Sequence, residues 1–206
     1  MGEFEPEDME GLETVTVALK ERFGTWAAEN GLEEDPAAPE TALRYKWAYL
    51  DGHLTRWTCD DLDEIYLELY PAKVIVDEDE LDYVLKAART FIEFLADTGL
   101  LDDESDPADV LMEHLTLIDR EFRANMADPR RQSFGKYLWS QALAEGVALD
   151  DQDAVDALIA RFNARPRAER DAALGYSQSQ RRPRERFTPP GTPPRAHSAK
   201  RRKRRR

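Results

Sequence analysis

Apolar residues recur most regularly between positions 57 and 101, WTCDDLDEIYLELYPAKVIVDEDELDYVLKAARTFIEFLADTGLL, and the other amphipathic segments read as helices packed around that stretch. In its second half Leu81, Val84, Leu85, Ala88, Ile92 and Leu95 keep the three- and four-residue spacing of one helical face. Tyr83, Ala87, Phe91 and Phe94 draw a second stripe beside the first, which predicts a central helix with neighbours on several sides. Asp77 with Glu80 three residues on matches a capping box with carboxylates at the positive end of the helix dipole, and Gly99 is the expected left-handed stop. In the first half, Thr58 with Asp61 predicts a cap for a helix whose Leu62, Ile65, Tyr66 and Leu69 share a face, with Pro71 expected to end it. The connecting Lys73-Val74-Ile75-Val76 is β-branched, yet no second strand-like run exists to pair with it, so it is expected to be a buried extended linker.

The same periodicity organises the remainder. Leu12, Val15, Leu19, Phe23 and Trp26 predict a helix ending near Asn30-Gly31, followed by a linker over 33–39. A second helix from Glu40 carries Leu43, Trp47 and Leu50 and ends at Asp51-Gly52, where Trp47 and Trp57 are expected to pack. Asp106-Pro107 predicts the start of a helix burying Leu111, His114, Leu115, Ile118 and Phe122. Asp128-Pro129 repeats that signal for a helix with Phe134, Tyr137, Leu138, Gln141 and Ala142 on one face and Gly146 at its end. Asp150 or Asp151 opens a helix with Val155, Leu158, Ile159 and Phe162 inward, and after Arg165-Pro166 a short helix reaches Leu174-Gly175. No internal repeat of fixed period is present. The expected fold is all-α: an acidic, disordered 1–10, then one bundle-like domain of seven or eight helices over 11–175.

Charge divides the chain sharply. From Tyr176 onward there are 12 Lys and Arg against one acid, a net of +11, which leaves 17 basic against 41 acidic residues before it, or −24. In that same tail Ser, Gln, Pro and Arg replace the apolar pattern, a composition that buries too little apolar surface to offset chain entropy, so 176–206 is expected to be disordered. Pro189, Pro190, Pro193 and Pro194 would stiffen it toward polyproline II and project the terminal cluster away from the body. A single cysteine rules out an internal disulfide framework. The start MGEFEPEDME has neither a basic nor an apolar signal region, Pro6 argues against myristoylation, and no apolar run approaches the roughly 20 residues of a membrane helix. A soluble, cytoplasmic protein is therefore expected.

The run Lys46-Trp47-Ala48-Tyr49-Leu50-Asp51-Gly52, then Trp57-Thr58, Pro71-Ala72-Lys73-Val74, Phe134-Gly135-Lys136, and Phe162-Asn163-Ala164-Arg165-Pro166 with Arg170 resemble a group of helical proteins from high-GC actinobacteria. The resemblance spans roughly 42–174. It implies an all-helical fold, and it implies no activity and no site residue.

Candidate chemistry is sparse. His53, His114 and His197 lack metal-type spacing, and a core histidine suits His114 better than a ligand does, so no metal is expected. Cys59 stands near a helix start, which lowers a thiol pKa, but Asp60 and Asp61 oppose the thiolate and favour a structural role. The acidic runs 77–80 and 102–106 lack the glycine of a calcium loop and sit at helix starts, where acids are favoured. A helix-turn-helix over 142–161 is unsuitable, because its second helix would bring Asp150, Asp151, Asp153 and Asp156 against phosphates. Arg130, Arg131 and Lys136 form a small basic spot on the body and read as a solvated helix start.

No catalytic or cofactor-binding residue and no cofactor is therefore expected. The tail is the one segment with a message about partners: Lys200, Arg201, Arg202, Lys203, Arg204, Arg205 and Arg206 form a flexible cluster that binds polyanions by counterion release. The expected function is that of a non-enzymatic binding protein, with an acidic helical body for protein contact and a basic tail for non-specific contact with nucleic acid or ribonucleoprotein. An enzyme whose carboxylate site is assembled only by the fold is the alternative, as is a tail that binds its own body and no nucleic acid.

Overall fold

Leu12, Leu19 and Phe23 bury one face of helix α1 (Met9–Glu29) in the computed structural model of the chain, which describes residues 9–148 and 150–175. The helix starts two residues before the expected boundary at 11, and Gly31 ends it at a φ of 67°. Phe23 is the hub of an aromatic cluster, with its ring 5.7 Å from Phe91 and 5.5 Å from Phe94. The following linker is strapped down rather than loose: Lys86 pairs with Glu34 at 2.7 Å, and the Asp35 amide donates to the Tyr83 hydroxyl at 3.2 Å. Pro36 lies so close to α1 that a Cβ at Gly24 would stand 2.8 Å from the proline ring.

Helix α2 (Glu40–Tyr49) buries Leu43 and Trp47, and the Gly52 amide returns to the Lys46 carbonyl at 3.1 Å. Thr58 then opens α3 (Cys59–Leu62) with the reciprocal cap its sequence predicts: the Asp61 amide donates to its hydroxyl at 3.2 Å, and its own amide donates to the Asp61 carboxylate at 2.9 Å. The rod continues through a π-helical segment, Asp63–Leu69, into α4 (Tyr70–Lys73).

Pro71 was expected to end this helix, and instead it lies within the last turn. Proline supplies no amide and leaves a carbonyl one turn earlier without its partner. That carbonyl, Leu67, accepts from the buried Asn125 side chain at 3.1 Å and from Arg131 at 3.2 Å. The wider π turn, in which the Tyr70 amide reaches Ile65, relaxes the remaining conflict.

The central helix α5 (Leu81–Asp97) buries Leu85, Phe91, Ile92, Phe94 and Leu95, as the double stripe predicts. Its start differs from expectation. Asp77 makes no side-chain cap bond, and the chain enters through a 3-10 turn over Glu78–Glu80 that shifts the first α-helical residue to Leu81.

The helix expected across Phe122 is broken at Ile118 into α6 (Ala108–Leu117) and α7 (Asp119–Ala127). The break turns Phe122, Asn125 and Met126 onto the 59–73 helix. Asp106 does not cap α6, because its carboxylate accepts from the Cys59 amide at 2.8 Å instead. Asp128 likewise caps only a 3-10 turn, Pro129–Arg131, and Ser133 caps α8 (Phe134–Ala144). Asp151 caps α9 (Gln152–Ala164) as expected, and α10 (Arg167–Ala173) follows Pro166. Phe162 of α9 packs against Phe134 and Tyr137 of α8, with ring separations of 5.1 and 5.3 Å, as a satellite to the main core.

The fold is thus all-α. Among the described residues nine helical rods stand where seven or eight are expected, the difference being the break at Ile118. All described residues belong to one compact unit, and none of their helices is long and apolar enough to cross a membrane.

Candidate binding cleft

Most cations of the body are already paired. Lys46 is completely buried, with its Nζ 2.7 Å from Asp61 and 2.9 Å from Asp51 and its charge 5.6 Å from the centre of the Trp57 ring. Arg56 carries Asp51 on to Glu104. Burial raises the Asp51 pKa, but hydrogen bonds from Lys46, Arg56 and the His53 amide outweigh it and hold the carboxyl below its ordinary 3.8. This is a locked structural network, since each charged partner is satisfied within it.

The sequence candidates fall into similar roles. His114 is half-buried rather than in the core, with Nε2 2.7 Å from Asp63. Burial, then the hydrogen bond and charge of Asp106, push the Cys59 thiol up, so the helix start does not activate it. Among the described residues no three His, Cys, Asp or Glu side chains converge as metal ligands, and the acidic run 77–80 is exposed. Arg130 pairs with Asp128, and Arg131 pairs with Glu68. Lys136 departs from expectation most: it is buried, not solvated, and its Nζ donates to the Pro71 carbonyl at 2.9 Å. Desolvation lowers its pKa below the ordinary 10.5. The tail cluster Lys200–Arg206 lies outside the described residues.

Lys136 marks a cleft that no single stretch of sequence announces. Thr41, Arg44 and Tyr45 of α2 form one wall, Lys73, Val74 and Ile75 the floor, and Lys136 and Trp139 of α8 the other wall, around about 270 Å³. No carboxylate lines it. Among the described residues, Arg44, Lys73 and Lys136 have no carboxylate partner, although the body carries 41 acids. The Lys73 ammonium stands 4.7 Å over the ring of the exposed Tyr49, and Tyr70 behind the wall hydrogen-bonds Thr41. Ile75 is 42% exposed and Trp139 49% exposed, so the segment 73–76 is a half-open floor and not the buried linker expected. Leu143, one turn beyond Trp139, continues the exposed apolar face of α8.

A second cleft of about 370 Å³ shares Ile75 and Lys136 and runs on past Val76, Leu81, Met126 and Ser140, with Glu78 and Arg123 at its far end, so the two form one trough whose carboxylate-free half is the one between α2 and α8. Of this set the sequence marks only Lys136 as candidate chemistry; Lys73 to Val76 read as a linker and Leu81 as core. A usable signal was present, because Lys136 has no acid three or four residues to either side in a chain otherwise full of them.

Comparison of the chain with protein-family models, with curated proteins and with solved structures finds no match.

Proposed function

We propose that this chain is a binding protein: its acidic helical body engages a partner protein through the cleft between α2 and α8, and its basic tail adds non-specific contact with nucleic acid or ribonucleoprotein. The observation that carries the first half is the convergence in one cleft of three cations without a carboxylate partner, Arg44, Lys73 and Lys136, beside exposed Tyr49, Ile75 and Trp139. Exposed aromatic and apolar groups gathered at a cleft are typical of a recognition surface. The enzymatic alternative has less support. Among the described residues the two carboxyls with perturbed pKa, Asp51 and Asp128, are both lowered by cationic partners, whereas a catalytic acid is held up.

The tail half rests on composition alone, with Lys200, Arg201, Arg202, Lys203, Arg204, Arg205 and Arg206 as the contacting cluster. A cytoplasmic setting belongs to the same reading. Capture from lysate, with and without nuclease, by the full chain, by a chain ending at Gly175 and by Arg44→Gln/Lys73→Gln tests it. A nuclease-resistant partner that survives tail removal and is lost in the double variant supports the body's role. A partner set that disappears entirely with nuclease or with the tail contradicts it.

A further inference from the structure

The floor of the trough is an extended segment without a neighbour. The Val74 amide closes the preceding helix on the Tyr70 carbonyl at 2.9 Å. Beyond it, the amides of Ile75, Val76 and Asp77 and the carbonyls of Val74, Ile75 and Val76 have no hydrogen-bond partner among the described residues. Val74 and Val76 turn toward the core while Lys73 and Ile75 face out, which is the alternation of a strand with one covered face. An unpaired edge of β-branched residues is a template for a second extended chain.

We infer that this edge receives an extended acidic peptide of the partner protein, laid along 74–77 between α2 and α8. The inference rests on the proposed partner-binding role of the body and names what the cleft recognises. Backbone groups of the incoming segment complete the free amides and carbonyls of the floor. Successive side chains of an extended peptide point to opposite sides, so carboxylates on one side meet Arg44, Lys73 and Lys136, whose ammonium spends only one donor on Pro71. Apolar side chains on the other enter the hollow by Ile75, Leu81 and Met126. Single-stranded nucleic acid also uses cations beside aromatics, but it has no backbone amides or carbonyls to pair with such an edge.

Selection of random displayed dodecapeptides on the full-length protein tests the inference. The expected result is enrichment of sequences alternating carboxylate and apolar residues. An enriched peptide, resynthesised, protects the amides of residues 75–77 from hydrogen exchange. Arg44→Gln/Lys73→Gln, both exposed positions, weakens it by about tenfold or more. Ile75→Pro removes one floor amide with no internal bond to lose, and Val74, at φ −100° and ψ 132°, already has the geometry a following proline requires. It too weakens binding, with an unchanged circular dichroism spectrum as the control. Failure to enrich any peptide overturns the inference, as does binding indifferent to both variants. Enrichment of neutral or basic peptides that Ile75→Pro still disrupts overturns the acidic assignment and leaves the body a binding module. An oligouridine that binds the full chain and loses affinity in Arg44→Gln/Lys73→Gln, with no acidic peptide enriched, gives the cleft to nucleic acid and overturns it as well. The proposed function falls separately, through the nuclease and truncation arms of the lysate capture.

Discussion

Asn125 donates from its side-chain amide to the Leu67 carbonyl at 3.1 Å, across 58 positions of sequence. The bond repairs the gap that Pro71 makes in the 59–73 helix. Asn125→Leu should therefore destabilise the fold by about 1–3 kcal/mol, the cost of a buried polar group left short of a partner. In a Pro71→Ala background, where an amide is restored nearby, the same substitution should cost less. Urea unfolding of the four members of the cycle measures the coupling, and strict additivity would show that the two residues are unrelated.

Among the described residues Lys46 is the one fully buried cation, and it pairs with two carboxylates. Lys46→Met keeps the volume and takes from the largely buried Asp61 its cationic partner, while Asp51 keeps Arg56, so stability should fall by about 3–5 kcal/mol. A variant within 1 kcal/mol of the parent, on the order of a surface substitution, would show that water reaches the pair.

Stability should decline at both ends of the pH range. Asp51 titrates below its ordinary 3.8 when folded, so its contribution is present above that pH and lost as pH falls through the lower folded value. Asp51→Asn should flatten the acid limb. Burial raises Tyr66 and Tyr70 above 10.0, so their contribution holds below pH 10.0 and is lost as pH climbs beyond it, while Lys136, lowered from 10.5, contributes in the opposite sense. Melting temperatures across pH for Asp51→Asn, Tyr70→Phe and Lys136→Met separate the three, and a Tyr70→Phe curve parallel to the parent above pH 10 would remove Tyr70 from the account.

Cys59 should react slowly. Its thiol is raised by burial and by Asp106, so the thiolate is scarce at neutral pH. Ellman's reagent at pH 7 should modify the native chain well below the rate of the urea-unfolded chain. Equal rates would mean that the Asp106 contact does not persist.

Ending the chain at Gly175 should leave stability nearly unchanged, because the core cluster runs from Leu12 to Met126 and the Phe162 satellite closes before that point. A drop of more than a few degrees in a thermal melt would contradict this.

The helices were legible because burial imposes a period, and the Thr58–Asp61 cap was legible because both halves lie within four residues. The Asp77–Glu80 pattern has the same spacing but forms no cap, since the chain enters α5 through a 3-10 turn that moves the helix start beyond it. Pro71 misled for a different reason: the local rule is sound, and its cost is met by Asn125 and Arg131, which only the fold brings near. The cleft was illegible on the same ground. Arg44, Ile75 and Trp139 are ordinary residues of three distant segments, and their meaning lies in what they lack as neighbours.

The most direct test of a partner docking on this cleft is site-specific photocrosslinking. A benzoylphenylalanine replaces Ile75 in one full-length variant and Leu117 in another; Leu117 is more exposed, at 72%, yet lines none of the clefts described above. After irradiation in lysate treated with nuclease, the adducts are identified by mass spectrometry. The account predicts a discrete protein adduct at position 75, through an acidic segment of the partner, and none in common at position 117. No adduct at 75, or the same adducts at both positions, would contradict it.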